Sequence, residues 1–257
     1  MPFTTTNDGC EIWYECHGSQ GHTLVFVSGY MGIANLWEPL IAELGNKYRC
    51  IAYDSRGYGR SSKPESVDYY SVPRHADDLA AVFGALQIKE PVTLVAHSMG
   101  GNIASTFHLR HSYFVSGIIY SGTYFDGKLA TELGTRPETY AGMADSPSRA
   151  ADFYVDMGLS FDIAIEAAKW PAYARWNNAK ALLEHGMGNG FEKISVPTLI
   201  VHGELDHATP YEVVVRPMAE ALQNSKVVVL KGVKHFPQNE ATVEFARLVR
   251  EFIPSTA

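Results

Sequence analysis

Short, almost wholly apolar runs alternate with longer stretches of helical period along most of the chain. Leu24-Val25-Phe26-Val27, Arg49-Cys50-Ile51-Ala52-Tyr53, Val92-Thr93-Leu94-Val95, Gly117-Ile118-Ile119-Tyr120, Thr198-Leu199-Ile200-Val201 and Lys226-Val227-Val228-Val229-Leu230 all have strand length. Runs of this kind, with little polar alternation, belong to strands covered on both faces. Glu11-Ile12-Trp13-Tyr14-Glu15-Cys16 reads as a further strand, set off by a Gly/Ser/Gln turn. Helical spacing occupies the gaps: around Trp37 to Leu44, at Leu79, Val82, Phe83 and Leu86, after Ser98, and from about Asn239 to Phe252. The alternation predicts an α/β protein built on a mostly parallel, doubly wound sheet.

The rhythm breaks between Thr123 and Lys193. No strand pattern occurs there, and helix-like segments follow one another over 148–157, 163–170 and 175–185. We therefore expect a core of residues 1–122 and 193–257, with 123–192 a helical insertion over the active edge of the sheet. The plainer alternative is a set of ordinary helices on the flank. The insertion is rich in Ala, Met and aromatic residues, and Trp170, Tyr173, Trp176, Met143 and Met157 are its candidate walls for an apolar pocket.

With 257 residues, one large domain with an insertion is expected. A formal charge of −7 without any basic cluster argues against nucleic acid or an anionic membrane as partner, since both require grouped Lys and Arg. No run approaches the length needed to span a bilayer, and residues 1–21 lack the apolar core of a signal peptide, so a cytoplasmic protein is expected. Cys10, Cys16 and Cys50 show no metal-type spacing and read as reduced packing residues. Neither a metal nor a cofactor is expected. The oligomeric state is left open between monomer and homodimer.

The most informative feature is Ala96-His97-Ser98-Met99-Gly100, which directly follows an apolar strand and directly precedes a helix. A serine at the apex of so sharp a turn needs small neighbours, and Ala96 and Gly100 supply them. A serine hydroxyl is a poor nucleophile at neutral pH and needs a base, for which histidine is suited. There are ten histidines. His235 stands out because it follows the last strand, at the carboxyl end of the sheet, where α/β folds place their chemistry. Asp206 and Glu204 fall in the equivalent loop one strand earlier and are candidate acids.

These segments resemble the α/β-hydrolases. The serine turn is similar to that family's nucleophile elbow, with Ala96 where glycine is commoner. Gly232-Val233-Lys234-His235-Phe236-Pro237 looks like its base loop, and Gly203-Glu204-Leu205-Asp206 like its acid loop. The order Ser98, Asp206, His235 is the family's order. Asp54-Ser55-Arg56-Gly57-Tyr58-Gly59-Arg60-Ser61 matches a further family segment, which we assign to structure. Ser28-Gly29-Tyr30-Met31-Gly32 resembles the family's His-Gly-x-x-Gly loop, with Ser28 in place of histidine.

The resemblance implies an α/β-hydrolase fold with a helical cap and a serine hydrolase with Ser98 as nucleophile, His235 as base and Asp206 as orienting acid. Asp126 is a competing acid, because some members use the end of the preceding strand. The backbone N–H groups of Met99 and Tyr30 are the implied oxyanion donors, and Tyr30 also enters the candidate substrate site. The expected substrate is a small, apolar carboxylic ester or lactone. Hydrolysis of a C–C bond in a diketone-like substrate, a perhydrolase side activity and a slowly turning-over ligand receptor are the alternatives.

Overall fold

In the computed structural model, which describes residues 2–132, 134–141 and 146–253, the apolar runs become neighbours in one eight-stranded sheet. The strands are β1 (Phe3–Thr5), β2 (Glu11–His17), β3 (Thr23–Val27), β4 (Arg49–Tyr53), β5 (Val92–His97), β6 (Val115–Ser121), β7 (Thr198–Gly203) and β8 (Ser225–Leu230). Their spatial order is β1-β2-β4-β3-β5-β6-β7-β8. β1 and β2 join antiparallel at one edge, and every pairing from β4 to β8 is parallel.

Burial follows from period two. Leu24 and Phe26 enter one apolar cluster, with Leu40, Leu44, Phe245 and Val249 from the helices Glu38–Leu44 and Thr242–Phe252. Val25 and Val27 enter the other, with Leu79, Val82 and Phe83 from the helix Val72–Ala85 and Ile103 and Phe107 from Met99–Arg110. All six residues of β5 and of β7 are buried. β8 is the exception to the doubly covered pattern, because it closes the edge and leaves most of its residues partly exposed.

The expected helical stretch is present between β6 and β7. Its helices are Gly127–Glu132, Pro137–Ala141, Pro147–Asp156, Phe161–Ala168 and Ala172–Glu184. The first two are too short to carry a readable period. Ala150, Ala151, Tyr154, Ala164 and Ala167 pack into the same apolar cluster as Tyr30 and Trp37, which seats this region directly on the core. The C-terminal helix departs from expectation. It starts at Pro237 and is interrupted at Ala241, whose φ of −132° separates Pro237–Glu240 from Thr242–Phe252. Cys10 and Cys50 are buried free thiols, whereas Cys16 is exposed and so is not a packing residue. Among the described residues no helix is long and apolar enough to cross a membrane.

The segment from Asp54 to Ser61 is a polar knot beneath the site. Asp54 accepts hydrogen bonds from the Ala34 and Arg60 N–H groups, both at 2.8 Å, which ties the loop after β3 to the loop after β4. Gly59, at φ +53°, has the Asp54 carboxylate where a Cβ would stand. The wholly buried Arg56 guanidinium donates to both oxygens of buried Asp78, at 2.7 and 2.5 Å, and to Asp8 at 2.8 Å. Removing one partner of a buried ion pair strands the other charge without water. Asp78→Ala is therefore expected to destabilise the fold by about 3–5 kcal/mol in urea denaturation, and a loss below about 1 kcal/mol would place the weight of this knot elsewhere.

Candidate active site

β5 ends at His97, and the chain turns into the helix Met99–Arg110 through Ser98 alone. Ser98 adopts φ 53° and ψ −127°, a conformation that costs a non-glycine residue about 1–3 kcal/mol. Its surroundings hold it there. The Ser98 N–H donates to the Ser121 carbonyl at 3.0 Å, and the Ser98 carbonyl accepts from the Gly101 N–H and the Thr123 hydroxyl, both at 2.9 Å. The neighbouring glycines leave the necessary room, since a Cβ at Gly100 would strike the Val27 carbonyl and one at Gly101 the Thr123 hydroxyl.

Two loops bring the acid and the base to this turn. His235 Nδ1 lies 2.8 Å from Asp206 Oδ2. A carboxylate only accepts, so Nδ1 carries a proton, and in the neutral imidazole the lone pair is then on Nε2. Asp206 also accepts from the Thr209 hydroxyl at 2.6 Å and from the Ala208 and Thr209 N–H groups at 2.9 and 3.1 Å. Burial pushes the Asp206 carboxyl up, but the adjacent His235 and the hydrogen bonds from His235 and Thr209 outweigh it and hold the group well below the usual carboxylate range.

The competing acids lie apart from the base. Asp126 accepts from the Lys128 N–H at 2.7 Å and sits beside Gly186, while Glu204 accepts from the Gly232 N–H at 2.9 Å. The structure thus brings Asp206 to His235, and neither Asp126 nor Glu204.

The loop after β3 lies against the serine turn. A Cβ at Gly29 would sit 2.8 Å from Ser98 Cβ and 3.0 Å from the Met99 nitrogen, so the backbone segments carrying Tyr30 and Met99 are in contact. Ser28 supplies the internal brace: its hydroxyl donates to the Ile33 carbonyl at 3.3 Å and accepts from the Trp37 indole at 2.8 Å.

His97, beside the serine, packs against the loop that carries the base. Its Nε2–H donates to the His235 carbonyl at 3.0 Å, and its ring stacks on Phe236 with centroids 4.7 Å apart. Burial, together with the neighbouring His235, pushes its pKa down to about 3, so it remains neutral.

Ser98 and His235 open on one cavity, and Tyr30, Met31, Tyr124, Phe153, Tyr154, Met157 and Leu182 form much of its wall. Tyr30 and Met157 are among these lining residues. Trp170, Tyr173 and Trp176 are not part of the wall, which corrects the expectation for all three. Trp170 lies under Lys63, 4.8 Å from the ring centroid, Tyr173 donates to the Lys63 carbonyl at 2.9 Å, and Trp176 is 40 % exposed. Met143 lies outside the described residues. Tyr124, Phe153, Tyr154 and Leu182 were missed. For Phe153, Tyr154 and Met157, spacing of three and four along one helix and its C-terminal cap is the signal the sequence carries. Among the described residues no group of three or more His, Cys, Asp or Glu is gathered to hold a metal ion.

Comparison with known proteins places the fold. A family model described as the alpha/beta hydrolase fold matches residues 22–154, and one described as TAP-like protein matches 164–252. The chain is 29% identical to the non-heme chloroperoxidase CPO-A1 of Kitasatospora aureofaciens, over 91% of this chain and 92% of that protein. Among solved structures it resembles the esterase EaEST of Exiguobacterium antarcticum, with 26% identity, a TM-score of 0.86 and 98% and 99% of the two chains covered. It also resembles Est816, described as an N-acyl homoserine lactone degrading enzyme, with 26% identity, a TM-score of 0.83 and 98% and 100% covered.

A carboxyl held below its ordinary value of 3.8 stabilises the fold above that pH and loses this contribution as pH falls towards the folded-state value. The difference in urea midpoint between the wild type and Asp206→Asn is therefore expected to be constant near neutrality and to narrow below about pH 4. A difference that widens on acidification would contradict the assignment.

Proposed function

Because the chain belongs to the alpha/beta hydrolase fold family, we propose that it is a serine hydrolase cleaving a small, apolar carboxylic ester or lactone through an acyl-enzyme. The observation that carries this is the buried Asp206–His235 pair at 2.8 Å, set on the same cavity as a serine held in a strained turn. The esterase and the lactone-degrading enzyme among its structural neighbours support the same chemistry.

In this mechanism Ser98 Oγ attacks the substrate carbonyl carbon while its proton passes to His235 Nε2. Asp206 keeps Nδ1 protonated and stabilises the imidazolium that forms. The carbonyl oxygen becomes an alkoxide, held by the N–H groups of Met99 and Tyr30. One such donor is worth about 10²- to 10³-fold in rate. Collapse breaks the C–O bond, and the leaving oxygen takes the proton from His235. Water then attacks the acyl carbon, gives its proton to His235, and Ser98 leaves with that proton as the acid is released. In a lactone the leaving oxygen stays tethered to the acyl group.

The cavity wall supports the substrate class. It contains Met31, Phe153, Met157, Leu182 and Phe236, and among the described residues no Lys, Arg, Asp or Glu. Such a wall favours uncharged acyl groups, since an ionised one loses its hydration without gaining a partner.

The test is hydrolysis of a panel of p-nitrophenyl esters and simple lactones with product analysis. Wild type is expected to yield acid plus alcohol or a hydroxy acid, and Ser98→Ala to lose about 10⁴-fold or more in kcat. Unchanged turnover in Ser98→Ala would overturn the proposal, and ketone plus acid from a diketone, with esters untouched, would favour C–C hydrolysis.

A further inference from the structure

Three consecutive amides carry the base, and they are taken by three acceptor oxygens from two residues. The Lys234 N–H donates to Glu240 Oε2 at 2.9 Å, the His235 N–H to the Met157 carbonyl at 3.1 Å, and the Phe236 N–H to Glu240 Oε1 at 3.0 Å. One carboxylate thus straddles the base, gripping the residue before it and the residue after it. The gap between those bonds is filled from the helical region between β6 and β7, at the end of the helix Pro147–Asp156.

That junction is shaped around Glu240. Gly158, next to Met157, has φ +108°, and the Glu240 carboxyl group occupies the space where its Cβ would be. The Lys234 ammonium, from the other side, donates to the Asp156 carbonyl at 2.8 Å. Met157 therefore does two things: its side chain lines the cavity beside Ser98, and its carbonyl holds the backbone of the base.

We propose, resting on the serine hydrolase reading, that Glu240 is a positioning residue for His235. Together with the Met157 carbonyl it fixes where the imidazole stands relative to Ser98, and it locks that position to the helical wall that contacts substrate. The Asp206 contact fixes one ring nitrogen, and the His97 and Phe236 rings pack edge-on against the imidazole. The direction in which Nε2 points depends on the backbone at residue 235, and its N–H and carbonyl are both engaged, by Met157 and His97. Glu240 acts on the two flanking amides and does not line the cavity. Its loss is thus expected to displace the base while leaving the substrate wall in place.

The experiment measures kcat and KM of Glu240→Ala, Glu240→Gln and Gly158→Ala with p-nitrophenyl acetate, alongside thermal melting and the rate at which a fluorophosphonate labels Ser98. A misplacement of about 1 Å in a catalytic group costs up to about 100-fold. Glu240→Ala is expected to lose about 10- to 100-fold in kcat and in labelling rate, with KM within about two-fold of wild type. Glu240→Gln, which keeps one acceptor oxygen, is expected to fall between it and wild type. Gly158→Ala, which drives the carboxylate from its seat, is expected to show the same kcat-selective loss.

Wild-type kcat in Glu240→Ala, or a change in KM and melting temperature without one in kcat, would overturn the proposal. Should the alanine variant not fold, Glu240→Gln and Gly158→Ala decide it: a kcat-selective loss in them supports the positioning role, and wild-type kcat in both overturns it. Ser98→Ala measured in parallel separates the two levels. Activity that depends on Ser98 but not on Glu240 removes this inference alone, whereas activity independent of Ser98 removes the serine mechanism itself.

Discussion

The left-handed turn at Ser98 is the constraint to which the surrounding structure answers. A serine with φ 53° between a buried strand and a buried helix is unstable on its own terms, and it persists because everything near it has been made small or has been tied down. Gly29, Gly100 and Gly101 remove three Cβ atoms from the crowded side. Ser121 and Thr123, at the end of the neighbouring strand, bind the serine's own amide and carbonyl. Once β5 lies between β3 and β6, the loops leaving those strands arrive at the same place, and those leaving β7 and β8 carry Asp206 and His235. Parallel strands deliver their following loops to one edge, so the site is a consequence of the topology.

Around the base, two buried groups are driven in opposite electrostatic directions. Asp206 stays charged despite burial, because His235 and Thr209 compensate for the water it has lost. The His97 ring donates to the His235 carbonyl and is held neutral by burial. An imidazolium formed at His235 would thus meet a permanent anion on one side and an uncharged ring on the other. A second charged histidine at His97 would oppose the proton transfer the proposed mechanism requires.

The parts of this arrangement legible in the sequence are those that depend on strand ends. Arg49–Tyr53 falls on its strand residue for residue, and Ser98, Asp206 and His235 each lie in the loop or turn that follows an apolar run, within five residues of its end, which is why their order carries information. β1 is three residues long and has no period to detect. The break at Ala241 gives no signal, since its neighbours on both sides are helical. The cavity wall was read poorly for a different reason: a helix between two buried surfaces shows apolar residues on both sides, and period alone does not say which surface faces the serine. Trp170 and Tyr173 turn towards the Lys63 loop, whereas Phe153, Tyr154 and Leu182 turn towards Ser98. Glu240 carries no signal in the sequence, because its partners are backbone amides that sequence does not reveal.

The central claim is that the Ser98 hydroxyl is made nucleophilic by an imidazole that a buried carboxylate holds in place. Reaction with a fluorophosphonate, followed by proteolysis and peptide mass mapping, tests it most directly. The account predicts a single adduct on the peptide carrying Ser98, formed in the wild type and almost abolished in His235→Ala. An adduct on another residue, or labelling of Ser98 at an undiminished rate without His235, would contradict it.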